Sequence, residues 1–308
     1  MSIRIAIAQI NPKLGDLRAN LELYEENIVR AAEQGAELLT FPELSLTGYF
    51  LRDTVPSVAL TMKSVEIAKL KTLSRNLPFI AGVVEESADH RFFNAAVYFE
   101  AGEVRHVHRK VYLPTYGMFD EQRYFARGDR VRAFDTKFGR LALLICEDLW
   151  HPSTIYLAAL DGALAVICPS ASPLRGIVDE QNQDDNARYW EMINRAYAET
   201  YSLFMIYGNR CGFEDGVGFW GGSEIVDPFG QRIAKGKYYE EDFLVAEIAL
   251  ESVRRKRTMS PLLRDEDLDL TINELMRIRE RPAVSATAAK KLNGSKVQRI
   301  KAAKKAKR

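Results

Sequence analysis

The chain has 308 residues, 47% of them hydrophobic and 28% charged, with a formal net charge of +1. That length and apolar content can fill a sizeable core, and no apolar stretch approaches the roughly 20 residues a membrane helix needs, so a globular cytoplasmic protein with no membrane partner is expected. Its N-terminus, MSIRIAIAQINP, lacks the charged, apolar, small layout of a secretory leader, and Cys146, Cys168 and Cys211, odd in number and widely spaced, fit reduced thiols better than a disulfide framework.

In chain order, the apolar run at 3–10 reads as a strand, and 20–36 reads as a helix with Leu21, Tyr24, Ile28 and Ala31 or Ala32 on one face. A strand at 37–44, a helix at 64–77 and a strand at 79–86 follow, and 94–113 reads as two strands turning at Gly102. After a loop, 131–150 repeats that pattern around Gly139. A helix at 152–163, a strand at 164–171, a helix at 186–202 and a strand at 203–212 come next. The globule closes with a hairpin over 221–236, turning at Pro228-Phe229-Gly230, and a strand at 240–250; a polar-rich helix then occupies 265–281.

This order predicts an α/β chain of mixed strand directions and excludes a purely parallel Rossmann sheet. Neither a Gly-rich dinucleotide fingerprint nor a phosphate loop is present, so no cofactor is expected. The reading gives one domain over 1–260, a helical arm over 261–283 and a basic tail over 284–308. Residues 288–308 carry nine Lys or Arg and no acid, leaving 34 basic against 42 acidic residues before them. Such a tail is expected to be solvated and disordered, and nucleic acid is not an expected partner. His90, His106, His108 and His151 show no zinc spacing, so no metal is expected either.

Three predicted strands end on reactive groups: Glu43 in TFPELSLTGY, Lys110 in HRKVYLP and Cys146 in LLICEDLW. Each alone has an ordinary structural reading, as a cap, an edge charge or a core thiol. Together they meet one chemical need. A thiol with a free pKa of about 8.5 requires a base to take its proton and a cation to hold the negative charge that follows. Glu43 can be the base, Lys110 the cation, and the N–H of Glu147, directly after Cys146, a second donor to an oxyanion. Glu147 and Asp148 cannot activate the thiol, because neighbouring negative charge raises its pKa; they are expected to orient substrate or side chains.

FPELSLTGY, RKVYLPTYGMFDEQRYF and LLICEDLWHP together resemble the three signature blocks of the carbon-nitrogen hydrolase, or nitrilase, superfamily. The resemblance extends to about residue 250. It implies a four-layer αββα sandwich and a catalytic triad at Glu43, Lys110 and Cys146. It also implies a helper glutamate at Glu121 and hydrolysis of an amide, ureido or nitrile carbon through a cysteine thioester, with a homodimer or larger assembly.

Within the superfamily the motifs are most similar to the glutaminase domain of glutamine-dependent NAD synthetase. That likeness implies substrate contacts at Tyr116, Glu147 and Ser172. Aromatic residues near the signatures, among them Tyr49 and Trp150, suggest a partly apolar pocket. An arginine follows the Ser-Pro earlier than in the glutaminase pattern, at Arg175, and no SGGxDS-type pyrophosphate loop follows. A free-standing amidase or N-carbamoyl amidase is therefore the first reading. A glutaminase serving an ammonia-accepting synthetase is second and a nitrilase third, with a catalytically silent scaffold disfavoured by the intact triad.

Overall fold

The computed structural model describes residues 2–174 and 185–281. Its first half contains β1 (Ser2–Gln9), α1 (Leu17–Glu33), β2 (Leu38–Thr40), α2 (Val55–Val58), α3 (Val65–Leu73), β3 (Phe79–Glu86), β4 (Phe92–Glu100), β5 (Glu103–Arg109) and α4 (Glu121–Tyr124). The second half contains β6 (Ala133–Thr136), β7 (Gly139–Leu143), α5 (Pro152–Leu160), β8 (Ala165–Ser170), α6 (Asp185–Tyr201), β9 (Phe204–Asn209), β10 (Cys211–Glu214) and β11 (Val217–Trp220). It continues with β12 (Glu224–Val226), β13 (Arg232–Lys235), β14 (Asp242–Ala249) and α7 (Glu251–Met259).

Two six-stranded sheets result, in the orders β14-β1-β2-β3-β4-β5 and β13-β12-β9-β8-β7-β6, with β10 and β11 as a separate hairpin. Each sheet has three parallel strands, β1-β2-β3 or β7-β8-β9, flanked by antiparallel neighbours. Strand alternation sorts their side chains into layers. Ile3, Ile5, Ile7 and Ile80 of the first sheet meet Leu141, Leu143, Ile167 and Ile206 of the second in one buried cluster. On the outer face of the first sheet, Leu39, Phe79, Val83 and Val97 pack under Tyr24 and Ile28 of α1 and Ile67 and Leu70 of α3. On the outer face of the second, Ala142, Val166, Met205 and Val226 pack under Ile155 and Ala158 of α5 and Trp190 and Ile193 of α6. The order is helix, sheet, sheet, helix, the sandwich that the signature blocks imply. Full burial of each large apolar side chain contributes about 1.5–3 kcal/mol, which is why residues in sheets covered on both faces are apolar at nearly every position.

Local sequence explains the element ends. Asp16 caps α1 by accepting from the Ala19 N–H at 3.0 Å. Between β4 and β5 the two-residue turn Ala101-Gly102 has positive φ at both positions, the geometry that suits a twisted hairpin. Three elements depart from the sequence reading. The β10–β11 hairpin lies within and beyond what reads as one strand with its exit. Helix α7, ESVRRKRTM, is almost entirely polar and so carries no clear apolar stripe. The strands before the reactive residues also stop early: β2 ends at Thr40 and β7 at Leu143, and only β5 runs up to its reactive residue, Lys110.

The chain divides into two compact units, Met1–Leu263 and one beginning at Arg264. The second contains α8 (Leu268–Arg279), capped by Asp267, which accepts from the Leu270 N–H at 2.8 Å. The basic tail expected at 284–308 and Arg175 lie outside the described residues. Among the described residues, no helix is long and apolar enough to cross a membrane.

Candidate active site

The carboxyl ends of β2, β5, β7 and β8 face one rim, and the reactive side chains come from the segments just beyond them. Glu43 stands in a loop where Leu44 takes φ +47°, and Cys146 opens a 3₁₀ turn (Cys146–Trp150) at φ +44°. A non-glycine residue in the left-handed region is strained, and such strain concentrates at functional sites. Here it turns the chain sharply after β7 and lifts the sulfur off the sheet.

Glu43, Lys110 and Glu121 form one buried chain of hydrogen bonds. The Lys110 Nζ donates to Glu43 Oε1 at 2.6 Å and to Glu121 Oε1 at 2.7 Å, and Lys110 is only 1% exposed. Glu43 is further held by Asn94 Nδ2 on Oε1 at 2.8 Å and the Ala171 N–H on Oε2 at 2.7 Å. Glu121 Oε1 also accepts from the Tyr49 hydroxyl at 2.5 Å, whereas its Oε2 is buried with no hydrogen-bond partner among the described residues.

The electrostatics follow from this burial. Desolvation alone pulls the Lys110 ammonium down, but the carboxylates of Glu121 and Glu43 outweigh it and hold the lysine well above its ordinary value. Burial pushes Glu121 up to about 7 against the opposing pull of Lys110, with Glu43 adding to the rise. One lysine can balance one carboxylate here, so burial draws a proton to the second carboxyl below about pH 7, and the unpartnered Oε2 is the oxygen left to carry it. The Cys146 thiol is held well above its ordinary value by burial and then by the Glu43 charge, with Lys110 acting against both. The resting sulfur is a neutral thiol within the field of a carboxylate and an ammonium.

Asp148 locks the lysine segment to the cysteine turn. Fully buried, it accepts the Val111 and Tyr112 N–H groups on Oδ1, both at 2.9 Å, and the Ile145 N–H on Oδ2 at 3.0 Å. His108 Nε2 lies 2.8 Å from that second oxygen.

Residues 4–258 match the carbon-nitrogen hydrolase family. The chain belongs to that family. The glutamine-dependent NAD(+) synthetase of Thermotoga maritima is 32% identical over 262 residues, covering 84% of this chain and 44% of that protein. The chain spans about half or less of the length of the curated synthetases it matches. A carbon-nitrogen hydrolase from Helicobacter pylori superposes with a TM-score of 0.80 at 28% identity, over 89% of this chain and 98% of that one. An amidase mutant from Nesterenkonia sp. AN1, which carries the acetamide moiety of fluoroacetamide covalently at its active-site cysteine, gives a TM-score of 0.74 at 27% identity over 88% and 96% of the two chains.

In this carbon-nitrogen hydrolase the residues expected to touch substrate fall into three places. Tyr49 sits against Glu121 and, with Phe50, Phe119, Tyr124 and Phe125, lines a cavity of about 200 Å³ that Glu121 also borders. Tyr116, half-exposed, donates its hydroxyl to Glu147 Oε1 at 2.9 Å, and the two share a cleft with Gln122 and His151. Ser172 is buried beyond β8, its hydroxyl oxygen accepting from Asn186 Nδ2 and Trp190 Nε1, each at 2.9 Å. Trp150 stacks on Tyr189 at 4.3 Å and packs on the core under α6.

Of two residues that hold this site, Asn94 escaped the sequence reading, and Asp148, expected to orient substrate or side chains, holds backbone N–H groups of two segments. The signal for Asn94 was available, since it is the only polar residue in the apolar run of β4 before Tyr98. Gly82 is a third. A Cβ there would lie 2.3 Å from the Pro42 carbonyl oxygen and 2.4 Å from the Leu44 N, so the glycine lets β3 pass directly beneath the Glu43 loop. Gly82→Ala is expected to displace that loop, destabilise the fold by about 1–3 kcal/mol and lower turnover disproportionately. Thermal unfolding and steady-state kinetics check it; full turnover in the variant would show that Glu43 is placed some other way.

Proposed function

We propose that this carbon-nitrogen hydrolase cleaves the non-peptide carbon-nitrogen bond of an amide or N-carbamoyl substrate through a thioester on Cys146, releasing ammonia or an amine and a carboxylic acid. The observation that carries this reading is the buried hydrogen-bond chain from Glu43 through Lys110 to Glu121, with a neutral thiol in its field. In the proposed cycle Glu43 takes the thiol proton as Sγ attacks the carbonyl carbon. Lys110 and the Glu147 N–H hold the oxyanion. As the carbon-nitrogen bond breaks, Glu43 returns that proton to the departing nitrogen. Neutral Glu121 adds a hydrogen bond from Oε2 to that oxyanion, since the one lone pair of the departing nitrogen takes the proton from Glu43. Water then attacks the thioester, Glu43 takes its proton and gives it back to the leaving sulfur, and the enzyme is restored.

The apolar cavity beside Glu121 supports an uncharged aliphatic or aromatic substrate group over glutamine. Its charged rim residues, Arg52 and Asp215, are already paired at 2.5 Å. The covalent acetamide adduct at the cysteine of the Nesterenkonia amidase supports a nucleophilic role for Cys146 by likeness. A glutaminase delivering ammonia to a synthetase is the second reading, favoured by the identity to the Thermotoga maritima protein.

The test compares kcat/KM for glutamine, a linear aliphatic amide, an N-carbamoyl amine and the matching nitrile. The amide or N-carbamoyl compound is expected to lead. A tenfold lead for glutamine, about 1.4 kcal/mol in transition-state stabilisation, would replace the first reading with the second. Absence of turnover on all four would overturn both.

A further inference from the structure

A buried ion pair 160 residues along the chain from Tyr49 converges on the same site. Arg210 is 0% exposed and Glu214 5% exposed, on the approach to and the end of β10. Glu214 Oε2 accepts from Arg210 Nη1, and the guanidinium lies 4.1 Å over the Phe219 ring and reaches the Asn11 side chain at 3.2 Å. The other carboxylate oxygen, Oε1, accepts two successive backbone N–H groups, those of Tyr49 at 2.7 Å and Phe50 at 2.6 Å. Gly48, at φ +81°, makes the approach possible, since a Cβ there would lie 2.8 Å from both Glu214 Oε2 and the Leu14 Cα.

A buried ion pair is a weak device for stability alone, because apolar side chains of similar volume generally serve as well. What this carboxylate adds is a fixed direction for two consecutive peptide units, and the side chain between them is the one whose hydroxyl meets Glu121 at 2.5 Å. We infer that Glu214, braced by Arg210, is a positioning residue that aims the Tyr49 hydroxyl at Glu121 and so sets the proton affinity of that carboxyl group. The inference rests on the role proposed above for neutral Glu121.

The groups facing Glu121 are Lys110 and Tyr49 in direct contact and Glu43 through its charge. The Tyr49 hydroxyl donates to Glu121 and therefore favours its ionised form. Losing that bond should raise the pH at which Glu121 ionises. Ionisation removes the Oε2 donor and adds negative charge where an oxyanion must form, so kcat falls as pH rises through it.

The experiment is the pH profile of kcat on the best amide substrate. The wild type is expected to lose rate on the alkaline side with a midpoint near 7, and Glu121→Gln to lose that limb. Tyr49→Phe and Glu214→Gln should each move the limb upward by about half a pH unit or more, so that a larger share of the plateau kcat survives at pH 8, and the double variant should go no further than Tyr49→Phe alone. Because Glu214→Gln leaves a buried arginine without its charge partner, the paired variant Arg210→Met with Glu214→Leu is measured alongside, with thermal unfolding for each. The same upward movement in the paired variant supports positioning. A limb present in wild type, absent in Glu121→Gln and unmoved in both Glu214 variants overturns the positioning role alone. A wild-type limb that survives Glu121→Gln overturns the role of Glu121 and the positioning role with it.

Discussion

Cys146→Ala is expected to abolish hydrolysis, by about 10,000-fold or more, while leaving the fold intact. The size of the effect follows from the proposed bond making, since without Sγ the carbonyl carbon has no nucleophile inside a site that excludes most water. Glu43 could still activate a water molecule, but only with the geometry built for a sulfur attack, so a small residual rate is all that remains. Stability should be nearly unaffected. Alanine has the same Cβ at φ +44° and so pays the same backbone strain. The sulfur it removes is that of a neutral thiol, so only a small apolar volume is lost. Ammonia release and thermal unfolding on one preparation decide it. Turnover within tenfold of wild type would end the thioester mechanism. A thiol-alkylating agent gives an independent check, because Cys168 and Cys211 are buried, whereas Cys146 is half-buried and has the Glu43 carboxylate near enough to take its proton.

The meeting of Glu43, Lys110 and Cys146 in one buried site was legible because their chemistry is scarce: a cysteine, a lysine and a glutamate at the ends of apolar runs have few joint explanations. The layered fold was legible for a different reason. Period-two and period-3.6 apolar patterns in β1, β3, α1 and α6 follow directly from which faces are covered. What stayed hidden were interactions between residues far apart in sequence. Asp148 reads as one more acid beside the cysteine, yet its two oxygens tie the Val111 and Tyr112 backbone to the Ile145 turn. Glu214 reads as a loop acid in CGFEDGVGFW, and only the folded chain brings it under Tyr49. The short helices α2 and α4 span four residues each, too few to show a period. Tyr49 was expected at the substrate; its hydroxyl is instead bonded to Glu121, which places it behind the reacting groups as well as along the cavity wall.

Lys110→Met should change both rate and stability, and the two effects should respond differently to pH. Losing one charged donor to an oxyanion typically costs about 100- to 1,000-fold in rate, and this loss should appear in kcat more than in KM if the charge acts on the developing oxyanion rather than on bound substrate. The stability effect arises because Glu43 and Glu121 both bond to Lys110 and neither is exposed by more than 4%. Removing one partner of a buried ion pair costs about 3–5 kcal/mol when the remaining charge stays uncompensated. Protonation is the escape. Glu121 already sits at about 7 against the lowering pull of Lys110, so without the lysine it must lie higher still, well above its ordinary 4.5 in the unfolded chain. A carboxyl group whose folded value is raised binds more protons in the folded state, so the stability of the variant should fall as pH rises from about 4.5 to beyond 7 and recover as pH is lowered, whereas the fall in the wild type levels off near 7. Melting temperatures of the variant and wild type should therefore run in parallel from pH 5 to about 7 and diverge toward pH 8 and above. A difference that is constant across that range would mean that the two carboxylates find another cation or water when Lys110 is gone. A change confined to KM would recast Lys110 as a substrate anchor rather than the group that holds the oxyanion.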